Sequence, residues 1–169
     1  MSDTANHLLW WVIPERLAGM PIPFIHPARR MSGGGGLEDY ADDLMTLHNA
    51  GIRVVVSLLN LPSDESVYNA AGFSFLCLPI PDGGAPTFEQ AAQFVRLVKE
   101  MHASGQAVAV HCEAGLGRTG TMLAAYLIST GLTAAEAIRL IRTVEKSAIE
   151  TERQIQFLEK YAASIKTAA

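Results

Sequence analysis

Charge, aromatic residues and cysteine are all in short supply in this 169-residue chain, and each shortage excludes something. Charged residues make up only 18% and apolar residues 49%, a balance that excludes a largely disordered chain. The two cysteines, Cys77 and Cys112, cannot build a disulfide framework, which points to a reduced, cytoplasmic setting. Positive charge is outweighed, with 13 Lys+Arg against 17 Asp+Glu, so no broadly basic face is expected to hold nucleic acid. No run of apolar residues approaches the ~18–20 that a membrane helix needs. The N-terminal run Leu8–Ile13 has no basic start and stops at Pro14, unlike a signal peptide. His7, His26, His48 and His102 are scattered, so no metal site is expected.

What is present organises the chain as one α/β domain over residues 1–169. Val54–Leu58, Phe73–Leu78 and Ala107–His111 are rich in Val, Ile, Leu and Phe and read as short buried strands, with Trp10–Ile13 an earlier one. Helical patterns lie between them. Leu37–Ala50 carries acidic residues near its start, and Thr87 with Gln90 makes a capping-box pattern before a helix that Gly105 ends. Thr119–Ser129 is an apolar helix stopped by Gly131. Thr133 with Glu136 opens another helix through about Thr143, and Thr151, Ile155, Leu158, Ala162 and Ile165 mark a last amphipathic stripe. Alternation of this kind implies a central, mostly parallel sheet flanked by helices. The glycine-rich stretch within 26–36 reads as a loop insertion.

The third strand runs into His111-Cys112-Glu113-Ala114-Gly115-Leu116-Gly117-Arg118-Thr119-Gly120, after which a helix follows. A short loop entering a helix turns successive backbone N–H groups inward, making a nest for an anion. Gly115 and Gly117 allow the tight, partly left-handed backbone that this needs. A thiol at the mouth of such a nest, beside a helix N-terminus and an arginine, is placed to act as a nucleophile. The guanidinium of Arg118 can hold two phosphate oxygens at once. Thr119 can hydrogen-bond the Cys112 sulfur as it leaves. The segment is not a nucleotide P-loop, because no Gly-Lys-Ser/Thr closes it.

His-Cys-x-x-Gly-x-Gly-Arg-Thr-Gly resembles the signature of the cysteine-based protein tyrosine phosphatases. The longer stretch Gly117–Ala124 resembles most the small atypical dual-specificity phosphatases of the VHZ type, as do Trp11–Gly19 and Ser147–Thr151 with Gln154. The resemblance implies the tyrosine phosphatase fold and a reaction through a phosphocysteine, without metal or other cofactor. It also implies a general acid upstream, and Asp82 in Pro79-Ile80-Pro81-Asp82-Gly83-Gly84 fits, with Pro81 a rigid entry and the glycines a mobile exit. Glu113, Asp64, Glu89 and Glu150 are the rival carboxylates. Cys112, Arg118, Asp82 and Thr119 are thus the expected catalytic group, and residues 113–118 the substrate cradle. His111 would order the loop; Gln154 would orient water or else be an exposed helix glutamine.

Val144-Glu145-Lys146-Ser147 departs from the Arg-Pro-Gly-Ser of the VHZ-like group, which bears on specificity. Glu113, Ala114 and Leu116 stand where phosphoinositide-cleaving relatives carry lysines. The expected substrate is therefore a phosphotyrosyl, and secondarily a phosphoseryl or phosphothreonyl, protein or peptide met by a monomer. The alternatives are phosphoinositides or other small phosphate monoesters, and a phosphate-binding protein without turnover. A disulfide between Cys77 and Cys112 would be conceivable if their strands were neighbours.

Overall fold

The computed structural model describes residues 8–23 and 37–168, so the expected insertion at 26–36 lies outside the described residues. Strands β1 (Trp10–Ile13) and β2 (Leu17–Met20) form an antiparallel hairpin. The chain continues through α1 (Leu37–Asn49), β3 (Ile52–Ser57), α2 (Asp64–Ala70), β4 (Ser74–Cys77) and α3 (Phe88–Ala103). It ends with β5 (Ala107–His111), α4 (Gly117–Ser129), α5 (Ala134–Val144) and α6 (Glu152–Ala168). The five strands lie in the order β1-β2-β5-β3-β4, and every pairing except β1 with β2 is parallel. The sheet is therefore mixed and mostly parallel, as the alternation of strands and helices implies.

The central strands are mostly apolar, Val54–Val56 of β3 and Ala107–Val110 of β5 above all, because both sheet faces are covered. Val108 and Val110 point into a large core shared with Phe94 and Val98 of α3, Leu123 of α4, Ile141 of α5 and Leu158 of α6. Ala107 and Ala109, alternating with them, face a smaller core with Leu47 of α1, Tyr68 of α2 and Phe73. Helix α4 is buried from Gly117 to Ile128, which explains its continuous apolar run. Both expected capping boxes form, at Thr87–Gln90 and Thr133–Glu136.

Two elements were not legible as such. Strand β2 has only four residues and is defined by its parallel pairing with β5, and α2 has seven. Helix α4 also starts at Gly117 rather than Thr119, so Gly117 and Arg118 belong to its first turn. The sheet order excludes the Cys77–Cys112 bridge. Ser57 of β3 pairs with Cys77 on one side and His111 on the other, so β3 separates the two strand ends. Two inter-strand spacings, about 9–10 Å, exceed the ~7 Å a disulfide spans. Both thiols are free, and Cys77 Sγ is bonded at 3.1 Å to the Leu59 carbonyl.

Candidate active site

Strands β2 to β5 run parallel, so their C-terminal ends share one edge of the sheet, where ligand crevices form. The segment after β5 lies there, together with the segment after β4. Cys112 is 3% exposed and sits at the floor of a cavity of about 320 Å³ lined also by Asp82, Gly83, Glu113, Ala114, Arg118, Glu150 and Gln154.

The loop from Cys112 to Leu116 is shaped by its neighbours. Ile22 N–H donates to the Glu113 carbonyl at 2.9 Å, and Trp10 Nε1 to the Gly115 carbonyl at 3.2 Å. Gly115 has φ +75°, and a Cβ there would run into the backbone of Met20 and Pro21 at the end of β2. Only glycine fits both constraints. With its carbonyls taken up in this way, the loop leaves the N–H groups of residues 113–118 without a backbone or side-chain acceptor among the described residues. Leu116, half-buried, caps α4 with no side-chain bond, so the positive end of that helix has no side-chain acceptor, and Arg118 of its first turn lines the cavity. Backbone donors in such numbers at a helix start form an anion site.

Arg118 is 7% exposed and spans from the loop after β5 to the loop after β4. Its Nη1 donates to the Ile80 carbonyl at 3.1 Å, and its Nη2 lies 3.2 Å from Asp82 Oδ1. The Asp82 side chain is 93% exposed, so this ion pair contributes little stability. It does bring the carboxylate to the cavity, where the upstream acid was expected.

His111 is fully buried, with Nδ1 3.0 Å from the Cys112 carbonyl, a bond that orients the strand end. The bond expected from Thr119 to the Cys112 sulfur is absent. Thr119 Oγ1 is buried and has no hydrogen-bond partner among the described residues. Gln154 is 1% exposed, which overturns the exposed-glutamine alternative. Its Oε1 accepts from the N–H groups of Glu150 and Thr151 at 2.8 and 3.1 Å, and its Nε2 donates to the Gly84 carbonyl at 3.0 Å.

Of the rival carboxylates, Asp64 begins α2 and Glu89 lies in the first turn of α3, both away from the cavity. Glu113 and Glu150 do line it, both exposed. Glu150 is packed over Gly117, where a Cβ would collide with its Oε2. It follows Ile149, a β-branched residue at φ 61°, whose carbonyl and that of Ala148 are held by Arg142 at 2.7 and 3.1 Å. Nothing in the local sequence announces this placement.

Thr151 and Gln154 exchange the bonds of a capping box at the start of α6, with Gln154 N–H donating to Thr151 Oγ1 at 3.2 Å. The Thr-x-x-Gln spacing matches that of Thr87–Gln90 and was the signal available for it.

Residues 31–132 match the family described as polymorphic toxin system, DSP-PTPase phosphatase. Protein tyrosine phosphatase type IVA 3 from Homo sapiens is 34% identical over 117 residues, covering 68% of this chain and 67% of its own. The dual specificity protein phosphatase CDC14B from Mus musculus is 31% identical over 149 residues, 88% of this chain. This chain spans only about a third of the length of that relative and of CDC14C from Homo sapiens. Among solved structures, Tk-PTP in the active form superposes with a TM-score of 0.76 at 27% identity, over 94% of this chain and 98% of that one. PTPMT1 in complex with PI(5)P superposes with a TM-score of 0.73 over 92% and 96%, and at 23% identity that likeness is one of fold.

Proposed function

The chain belongs to the dual-specificity phosphatases of the cysteine-dependent protein tyrosine phosphatase superfamily, and from that premise we propose that it hydrolyses phosphotyrosine, and phosphoserine or phosphothreonine, in proteins. The observation that carries this reading is the convergence of Cys112, Arg118 and Asp82 on one cavity, beside a loop whose N–H groups have no acceptor among the described residues.

In the first step the Cys112 thiolate attacks phosphorus in line, and the S–P bond forms as the P–O ester bond breaks. Arg118 and the N–H groups of residues 113–118 take the equatorial oxygens, contacts that strengthen as the phosphoryl group flattens. The phosphate displaces Asp82 from Arg118. Asp82, protonated, then gives its proton to the leaving oxygen. In the second step water attacks the phosphocysteine and passes a proton to Asp82, releasing inorganic phosphate and the thiolate. Gln154 has one Nε2 hydrogen beyond the bond to Gly84 with which to hold that water. Thr119, whose buried hydroxyl has no partner among the described residues, would bond the sulfur as it leaves. No step calls for a metal or other cofactor.

Glu113 and Glu150 support the choice of substrate. Two exposed carboxylates at the rim disfavour a densely anionic headgroup and tolerate a single phosphate on a peptide. Among the described residues no helix is long and apolar enough to cross a membrane. Turnover is expected from a monomer, a point checked by light scattering during chromatography.

The test is turnover of para-nitrophenyl phosphate, phenyl phosphate and phosphotyrosyl, phosphothreonyl and phosphoinositide substrates. Cys112→Ser should abolish all turnover, and activity in that variant would sink the mechanism. Asp82→Asn should lower kcat by about 10²–10³ for the poorest leaving groups. It should also flatten the fall of activity on the alkaline side, where an acid loses its proton. Higher kcat/KM on phosphoinositides than on phosphotyrosyl peptides would replace the protein-substrate reading.

A further inference from the structure

The Asp82 carboxyl is poorly held by its own contacts. Its side chain is 93% exposed, and Arg118 and the Gly83 N–H at 3.1 Å are its described partners. A general acid needs a defined position, since a misplacement of about 1 Å can cost on the order of 10²-fold in rate. The backbone on either side must therefore hold it.

Upstream, the backbone is fixed at Ile80, whose N–H donates to the Leu58 carbonyl at 3.0 Å and whose carbonyl accepts from Arg118. Downstream, the turn closes through Gly84 N–H to the Pro81 carbonyl at 2.9 Å, but a turn alone does not tie it to the body of the protein. That tie comes from the start of α6. Thr151 Oγ1 donates to the Gly83 carbonyl at 3.0 Å, next to the acid in sequence, and Gln154 Nε2 reaches the Gly84 carbonyl. The mobile exit expected from the two glycines is thus anchored twice. A threonine hydroxyl has one hydrogen to donate and can accept as well. Here it donates to the loop and accepts from Gln154 N–H as the helix cap, so one group joins α6 to the Asp82 turn.

We infer that Thr151 is a positioning residue for Asp82, its hydroxyl locking the acid-bearing turn to the first turn of α6. The inference rests on Asp82 being the general acid. Thr151 does not line the cavity and so acts through Asp82 rather than on the substrate.

The experiment compares wild type, Thr151→Val, Thr151→Ser and Asp82→Asn on para-nitrophenyl phosphate, phenyl phosphate and a phosphothreonyl peptide. Thr151→Val should lower kcat on the two poor leaving groups by about tenfold or more, with KM and the para-nitrophenyl rate little changed, and should flatten the alkaline limb. Thr151→Ser should restore both. Thr133→Val removes the equivalent cap from α5, far from the loop, and should leave the leaving-group dependence intact. In the Asp82→Asn background, Thr151→Val should cost nothing further, since residues acting through one another are not additive. Should Thr151→Val not fold, Thr151→Gly, which a helix N-cap tolerates almost as well as threonine, removes the same hydroxyl.

A loss equal on all substrates, no loss, or additivity in the double variant would overturn the inference. If Asp82→Asn itself leaves the leaving-group dependence unchanged, the acid assignment is what fails.

Discussion

At Gly115 a single missing side chain decides the shape of the loop from Cys112 to Leu116, the cradle proposed for phosphate. Its φ of +75° costs an L-residue about 1–2 kcal/mol, and a Cβ pressed into backbone adds about 1–3 kcal/mol. Gly115→Ala should therefore lower stability by roughly 2–5 kcal/mol in urea unfolding. It should also weaken inhibition by inorganic phosphate, because relief of the clash moves the loop that carries the N–H groups. Unchanged phosphate inhibition would show that the cradle is not built on this contact. Gly115, Cys112 and Arg118 were legible because their chemistry depends on spacing within one short segment. The place of Asp82 at the cavity was legible from its turn after a strand, since strand-end loops meet at one edge. The Thr-x-x-Gln spacing was a signal for Thr151 as a helix cap, but the placement of Glu150, and of that cap against the Asp82 turn, was not legible. It depends on Ile149 adopting φ 61° and on Arg142 reaching forward to the Ala148 and Ile149 carbonyls, neither of which a local pattern encodes.

The elements most readily legible were those whose ends carry their own chemistry, and α5 shows why. Thr133 accepts from the Glu136 N–H at 3.2 Å while Glu136 Oε2 accepts from the Thr133 N–H at 2.8 Å. The Thr133 N–H first, and second the Thr133 hydroxyl, which also donates to Glu136 Oε2 at 2.8 Å, hold the Glu136 carboxyl below the ordinary carboxylate range. A carboxyl lowered in the folded state adds stability above its unfolded pKa, and the gain disappears as pH falls through the folded one. Glu136→Gln keeps the acceptor but loses the charge. Its urea midpoint should fall below wild type at neutral pH and converge with it in strongly acidic buffer. A gap that persists in acid would assign the effect to geometry instead of ionisation. Strand β2 carries no comparable signal: Leu17–Met20 is a strand because β5 lies beside it, and that pairing is a property of the assembled sheet. Helix α2 is likewise short, and its buried Tyr68 is placed by tertiary contacts, Phe73 and Phe75 among them.

On the scale of the molecule, the sheet order governs what can meet, bringing the ends of β4 and β5 to one cavity while β3 keeps Cys77 from Cys112. The family match ends at residue 132, before α5 and α6, yet those helices are not an appendage. Phe157, Leu158 and Tyr161 of α6 are buried in the large core with Leu123 of α4 and Ile141 of α5. Burying three such side chains contributes roughly 5–9 kcal/mol, about the whole net stability of an ordinary domain. The same helix caps itself with the pair that ties down the Asp82 turn, so fold and site depend on it together. A chain ending at Glu150 should therefore lose cooperative urea unfolding and the dispersed amide spectrum of the full chain, along with phosphate binding. Adding residues 151–168 as a separate peptide should not restore activity at micromolar concentration, since isolated helices of this length are marginal in water. A truncated chain that unfolds cooperatively and still turns over para-nitrophenyl phosphate would place the folding unit within the matched segment, and α6 outside it.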